Sequence, residues 1–244
     1  MLKSKLALAL TFALAGTNAL AAIPKTKSGV PTSEALSLPL GNRLIVIREQ
    51  GPDGYRNLVK IMEDTKQPME MRWRAVTALG RIGGRESQPE LEKALGSKEW
   101  YLRNAALVAM KNIDRETANG WARKLLNDKA LMVRVAAVDT LALLRDSSAS
   151  EVLWQKLYAP ENFKGKQSLF IRRKIVEALA LLEGRGGEAR FVRVLEDHDS
   201  SLHPSAIGAL ERITQVKLGG KQDTTTMKRE RWQAWWKEKT PAAL

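Results

Sequence analysis

The sequence predicts an all-α solenoid of stacked antiparallel helix pairs. Three observations predict it. First, one pattern recurs five times: a basic anchor, small or apolar residues three and six positions on, then aliphatic residues at seven and ten. The copies are Arg72, Ala75, Ala78, Leu79, Ile82; Arg103, Ala106, Ala109, Met110, Ile113; Arg134, Ala137, Thr140, Leu141, Leu144; Arg172, Ile175, Ala178, Leu179, Leu182; and His203, Ala206, Ala209, Leu210, Ile213. Second, those offsets fall on one face at 100° per residue, so each copy is an amphipathic helix whose small residues admit a close neighbour. Third, the apolar stripe of another helix precedes each of the last four copies: Leu91 and Leu95; Trp121, Leu125 and Leu126; Val152, Leu153 and Leu157; Phe191, Val194 and Leu195. One such pair cannot bury its own apolar face, whereas stacked pairs share a continuous core.

In chain order, residues 1–21 read as a cleavable signal peptide. Lys3 and Lys5 precede an apolar run from Leu6 to Ala15, and Ala19-Leu20-Ala21 supplies the small-x-small cleavage pattern. The run falls short of the roughly 20 apolar residues that span a bilayer, and no later segment is apolar enough to do so. The chain is therefore expected to be exported, either periplasmic or secreted. Residues 22–52 form an N-terminal arm, extended over Ile23 to Gly41, and then a segment around Ile45-Val46-Ile47 that is either a strand or a helical half-repeat closing the stack. Residues 53–214 hold the five repeats. Their anchors are separated by 31, 31, 38 and 31 residues, and the long interval places a seven-residue surface insertion between Ala159 and Gln167. Ser87 with Glu90 reads as a capping box, and Gly80, Gly83 and Gly84, like Gly184, Gly186 and Gly187, read as helix stops. Residues 215–244 are a polar linker and a Trp-rich helix. In that helix Trp232, Trp235 and Trp236 share one stripe among basic residues. It either caps the last repeat or lies on a membrane or partner as a basic amphipathic helix.

The turn ahead of each second helix follows L-x-D-x-D-x-x-V-R: Leu126, Asp128, Val133, Arg134 in one copy and Leu195, Asp197, Asp199, Leu202, His203 in another, with a weaker form at Leu95, Ser97, Glu99, Leu102, Arg103. This resembles the HEAT-like repeat also called the phycobilisome-lyase-type repeat, over roughly Tyr55 to Thr214. The resemblance implies stacked helix pairs serving as an interaction scaffold. His203 in the Arg slot, the insertion, and the missing Asp ahead of Arg72 and Arg172 depart from it.

Composition narrows the chemistry. There is no cysteine, which excludes disulfides, thiol nucleophiles and zinc fingers. The two histidines form no metal set: His198 lies in a turn between Asp197 and Asp199, where an Asp caps the next helix, and His203 replaces an anchor Arg. The His-Glu pairs of iron-binding HEAT-repeat hydroxylases are absent, no pigment-binding residue of a bilin lyase can be matched, and neither G-x-S-x-G nor Ser-x-x-Lys occurs. The glycines lack the strand-turn-helix setting of a phosphate loop. No catalytic residue, cofactor site or metal site is read from the sequence, and the chain is expected to be non-enzymatic.

The ladder Arg72, Arg103, Arg134 and Arg172 lies beside the buried stripe, where guanidinium groups bond turn carboxylates and carbonyls and stitch repeat to repeat. Partner binding is expected instead on the exposed side of the second helices, at Trp73, Arg74, Arg81, Val108, Lys111, Val135, Leu143, Arg173, Lys174, Leu181 and Arg212, with Asp139 among them. This surface has basic ends around an apolar middle. Such a strip suits a protein or peptide partner. The competing expectation is a polyanion, nucleic acid or an acidic envelope polymer. It is motivated by the formal charge of +13, and such binding weakens steeply with salt.

Overall fold

The computed structural model describes residues 29–240, so the expected signal peptide lies outside the described residues. The chain begins with α1 (Thr32–Ala35) and α2 (Leu40–Glu49). Five helix pairs follow: α3 (Gly51–Glu63) with α4 (Met69–Ile82), α5 (Gln88–Leu95) with α6 (Trp100–Met110), α7 (Arg115–Leu125) with α8 (Leu131–Leu144), α9 (Ser150–Leu157) with α10 (Ile171–Leu182), and α11 (Glu188–Val194) with α12 (His203–Thr214). A last helix, α13 (Thr225–Lys239), closes the described chain. The second members of the pairs pack side by side in chain order, and each also packs on its own first member. The molecule is an all-α solenoid.

Local chemistry sets the helix ends. Proline occupies the first turn of α3, α5 and α12, where its fixed φ is pre-organised and no N–H is missed. Asp114 caps α7 by accepting hydrogen bonds from the backbone N–H groups of Glu116 and Thr117 at 2.9 and 3.1 Å. The offsets counted from the anchors form the core: Ala75, Leu79, Ala106, Met110, Ala137, Leu141, Ile175, Leu179, Ala206 and Leu210 are all fully buried.

Three expectations change. The arm is not extended throughout, because α1 and α2 fold within it; of the two readings of Ile45-Val46-Ile47, the helical one holds. Gln50 ties this end together by donating to the Val30 carbonyl at 2.7 Å and accepting from the Thr32 hydroxyl at 2.6 Å. The capping box does not form. Ser87 is buried and donates its hydroxyl to the Gly84 carbonyl at 2.7 Å, because residues 84–87 make a 3-10 turn that carries it away from the N–H groups of α5. The insertion is a small hairpin, β1 (Phe163–Lys164) pairing antiparallel with β2 (Gln167–Ser168), and Asn162 beside it is buried.

Gly80 is not a helix stop but lies inside α4. A Cβ at this position would sit 2.6 Å from the Cβ of Ala109 on α6, so the glycine permits the close approach of two second helices. Gly80→Val is expected to destabilise the chain by about 2 kcal/mol through overpacking, read as a lower urea midpoint with an unchanged slope.

Candidate functional site

The anchor residues make a ladder of hydrogen bonds inside the stack. Arg72 donates Nε to the Met62 carbonyl and a terminal nitrogen to the Tyr101 hydroxyl, both at 2.9 Å. Arg103 grips Asp128 with two bonds of 2.6 Å and also reaches the carbonyls of Ser97 and Lys98. Arg134 bonds the carbonyls of Asp128 and Lys129 behind it, and the Asn162 side chain and Glu161 carbonyl ahead. Arg172 bonds the Leu157 carbonyl at 2.9 Å and Asp197 at 2.5 Å, and it stacks over the Phe163 ring at 4.5 Å. The rule is uniform: each Arg satisfies carbonyls of its own turn and a polar group of the next repeat. Where the turn Asp is missing, Tyr101 and Asn162 stand in. Among the described residues, His203 bonds the carbonyl of Asp197 in its own turn, at 3.0 Å, and no group beyond it. The last repeat has no following repeat to reach, which accounts for an imidazole where the others need a guanidinium.

The turn carboxylates feel this arrangement. Burial pushes the Asp128 and Asp197 carboxyls up, but hydrogen bonds from Arg103 and Arg172 respectively, with backbone N–H donors, outweigh it and hold both below the usual carboxylate range. Asp199 is likewise held low, its burial outweighed by serine hydroxyls and the Ser201 N–H. It accepts from the Ser201 N–H at 3.0 Å, which caps the short turn into α12, while His198 beside it is exposed. Among the described residues no group of three or more His, Asp and Glu is placed to hold a metal ion.

The exposed side of the second helices carries an open groove of about 680 Å³ where α2, α4 and α6 meet. Trp73, Thr77 and Arg81 of α4 form one wall, Asn104 and Val108 of α6 with Asn112 in the turn after it the other, and Leu44 and Arg48 of α2 close the end. Trp73 and Val108 are 41% and 43% exposed. Neither Arg48 nor Arg81 has a hydrogen-bonding or ion-pair partner among the described side chains, so both guanidinium groups are available to a ligand. Leu143 on α8 and Leu181 on α10 continue the apolar surface, 55% and 49% exposed.

Several expected contact residues are otherwise engaged. Val135 is buried, because α8 is apolar on nearly every side and packs against both α6 and α10. Arg74 donates to the Leu36 carbonyl at 2.9 Å and pairs with Glu70. Arg212 bonds the carbonyls of Ala180 and Glu183, tying α12 to the end of α10. Arg173 and Lys174 both face Glu177, at 3.6 and 3.1 Å, and Lys111 on the turn after α6 is half-buried. Asp139 is exposed.

Other exposed residues were not anticipated. Met69, Trp100 and Met132 join Trp73 around a depression of about 280 Å³. They stand two or three residues before an anchor, one helical turn back from the exposed offsets that follow it. Counting offsets backward as well as forward from each anchor would have found them. A further cleft of about 700 Å³ lies beside the hairpin, between Tyr158, Phe163, Phe170, Lys166 and His198.

Comparison with known proteins follows the same repeats. Residues 89–169 match the family model for HEAT repeats, and residues 71–97 match that for the PBS lyase HEAT-like repeat. No curated protein matches the chain. Among solved structures, an engineered protein is 22% identical with a TM-score of 0.47, covering 75% of this chain and 87% of its own. The complex of CpcE and CpcF of phycocyanin lyase from Nostoc sp. PCC7120 is 15% identical with a TM-score of 0.43, covering 87% of this chain and 97% of its own. The expectation of a non-enzymatic chain is corrected here. Residues 71–97 match a repeat that carries the name of a lyase, so the repeat type is one associated with enzymes and a lyase reaction stands open to this chain.

Proposed function

Because the chain is a HEAT-like repeat protein, we propose that it is a repeat scaffold holding a segment of a protein partner on the concave face formed by its second helices, after export from the cytoplasm. One observation carries the reading: the groove across α2, α4 and α6 combines apolar side chains on both walls, Trp73 and Val108, with two guanidinium groups unpaired among the described residues, Arg48 and Arg81. The segment that fits it carries apolar side chains with carboxylates at its flanks. A continuous basic stripe with stacking aromatics, as a nucleic acid demands, is not what lines the groove. Export is supported by the sequence pattern of residues 1–21.

The test is capture from a cell-envelope extract by the chain beginning at Ala22, at about 0.05 and 0.3 M salt, where Debye screening differs strongly. A discrete protein retained at both concentrations and lost with Val108→Asp, at least ten-fold in affinity, is the expected result. Acidic polymer retained only at low salt replaces this reading with polyanion binding.

The family match over residues 71–97 favours a second reading, in which the held partner is also the substrate of a lyase reaction. Mass spectrometry of the captured partner before and after incubation with the chain distinguishes the two. A mass change that depends on the chain supports the lyase.

A further inference from the structure

We propose that the edge on which the second helices begin is a docking surface for an acidic amphipathic helix of a protein partner, adjoining the groove, with which it shares Trp73 and Asn104, but taking its own occupant. The proposal extends the scaffold reading and rests on it. Met69, Trp100, Met132 and Phe170 are 54%, 42%, 47% and 46% exposed. They stand on successive repeats, each two or three residues before its anchor. The first three line one depression, and Asn104 of α6 fixes the start of α8 by donating to the Met132 carbonyl at 3.0 Å.

Spacing selects the shape of the occupant. Packed helices lie about 8–10 Å apart, so these side chains recur at roughly 10 Å along the edge. Seven residues of an α-helix rise about 10.5 Å and return within about 20° of the same face. Three residues of a β-strand cover a similar distance but turn the side chain to the opposite face. A heptad-spaced apolar stripe therefore matches the row. Two of its four members are methionines, whose unbranched, polarizable side chains adapt to inserted Leu or Phe knobs.

Charge selects the flanks. Lys98 and Lys129 lie in the turns just ahead of α6 and α8, and Lys166 lies in the hairpin turn and lines a cleft with Phe170; all three are exposed and without an ion-pair partner among the described residues. Trp100, Met132 and Phe170 thus each have one exposed lysine two to four residues ahead of them in the chain. Glu70, on the same edge, is taken up by Arg74. Carboxylates flanking an apolar stripe complement these lysines.

The probe is a fluorescein-labelled synthetic peptide of about 22 residues, roughly three heptads, with Leu on one heptad-spaced stripe and Glu beside it. Anisotropy is read against the chain from Ala22 to Leu244, with circular dichroism confirming that each variant folds. Low-micromolar binding is expected, weakened at least ten-fold by Trp100→Ser and by Met132→Ser and unchanged by the groove variant Val108→Asp. A peptide of the same composition with its Leu scattered around the helix is expected to bind at least ten-fold more weakly. Absence of binding, equal binding of the scattered peptide or of polyglutamate, or insensitivity to both edge variants overturns the proposal. Equal weakening by Val108→Asp overturns the separation of edge from groove. Capture of an extract partner by the groove is measured independently, so failure of either surface is seen on its own.

Discussion

Arg172→Met is expected to destabilise the chain by about 3–5 kcal/mol, the cost of leaving a buried partner charge uncompensated. Arg172 is 2% exposed and bonds the Leu157 carbonyl, the Ser168 hydroxyl and both oxygens of Asp197, whose side chain is itself only 13% exposed. Methionine keeps much of the aliphatic stem and removes the charge, so Asp197 is left with the Asp199 N–H as its donor among the described residues. The double variant Arg172→Met, Asp197→Leu is expected to recover a large part of the loss, because replacing both members of a buried pair by apolar groups is far cheaper than removing one. Urea unfolding of the single and double variants measures this.

The same pair sets a pH dependence. Asp128 and Asp197 have folded-state pKa values below the unfolded carboxylate value. Their contribution is therefore present above the unfolded value, about 3.9, and is lost as pH falls through the folded value, where the unfolded chain already binds more protons. The urea midpoint is expected to fall between pH 5 and pH 2. In the Arg172→Met chain, Asp197 loses its main charge partner, so the acid-dependent fall is expected to be smaller.

Trp232→Ala is expected to cost about 3–5 kcal/mol of docking for α13. Trp232 is fully buried where α13 meets α11 and α12, with Trp235 edge-on at 5.2 Å. The other ties are weaker or local: a bond of 3.4 Å from Gln233 to the Leu195 carbonyl, Thr224 capping the helix start at 3.2 Å, the Arg231–Asp223 pair that holds α13 to the linker ahead of it, and the partly buried Trp235 and Trp236. Because α13 packs chiefly on the last pair, the loss is expected to free this helix before the rest unfolds. Hydrogen exchange should show the amides of α13 losing protection while those of α4 to α8 keep theirs. Trp232→Phe is expected to cost far less, since the indole N–H is buried without a hydrogen-bond partner among the described groups. Phenylalanine preserves most of the ring while removing that orphaned donor.

These two sites differ in how far the sequence revealed them. The second helices were legible because Ala, Leu and Ile at offsets 3, 6, 7 and 10 report one buried face directly. Arg172 and Asp197 were legible as types of residue, an anchor and a turn carboxylate. Which turn each Arg reaches was not, since Tyr101 and Asn162 replace the expected Asp in a register that only packing defines. Val135 misled because α8 is apolar around most of its circumference, so periodicity no longer marks the exposed side. The row Met69, Trp100, Met132 and Phe170 was missed because it precedes the anchors from which the face was counted. The fold of the arm depends on Gln50 reaching back to Val30 and Thr32, contacts between residues about 20 apart that no local pattern announces.

The proposed scaffold reading puts partner contact on the second-helix face rather than the first-helix face. A photo-crosslinking residue placed at Val108 in the groove, and in a separate chain at Arg190 on the first helix of the last pair, tests it in the cells that make the protein. The account predicts one discrete protein adduct from position 108, abolished by Trp73→Asp, and none from position 190. Adducts from position 190 alone, or equal adducts from both, would contradict it.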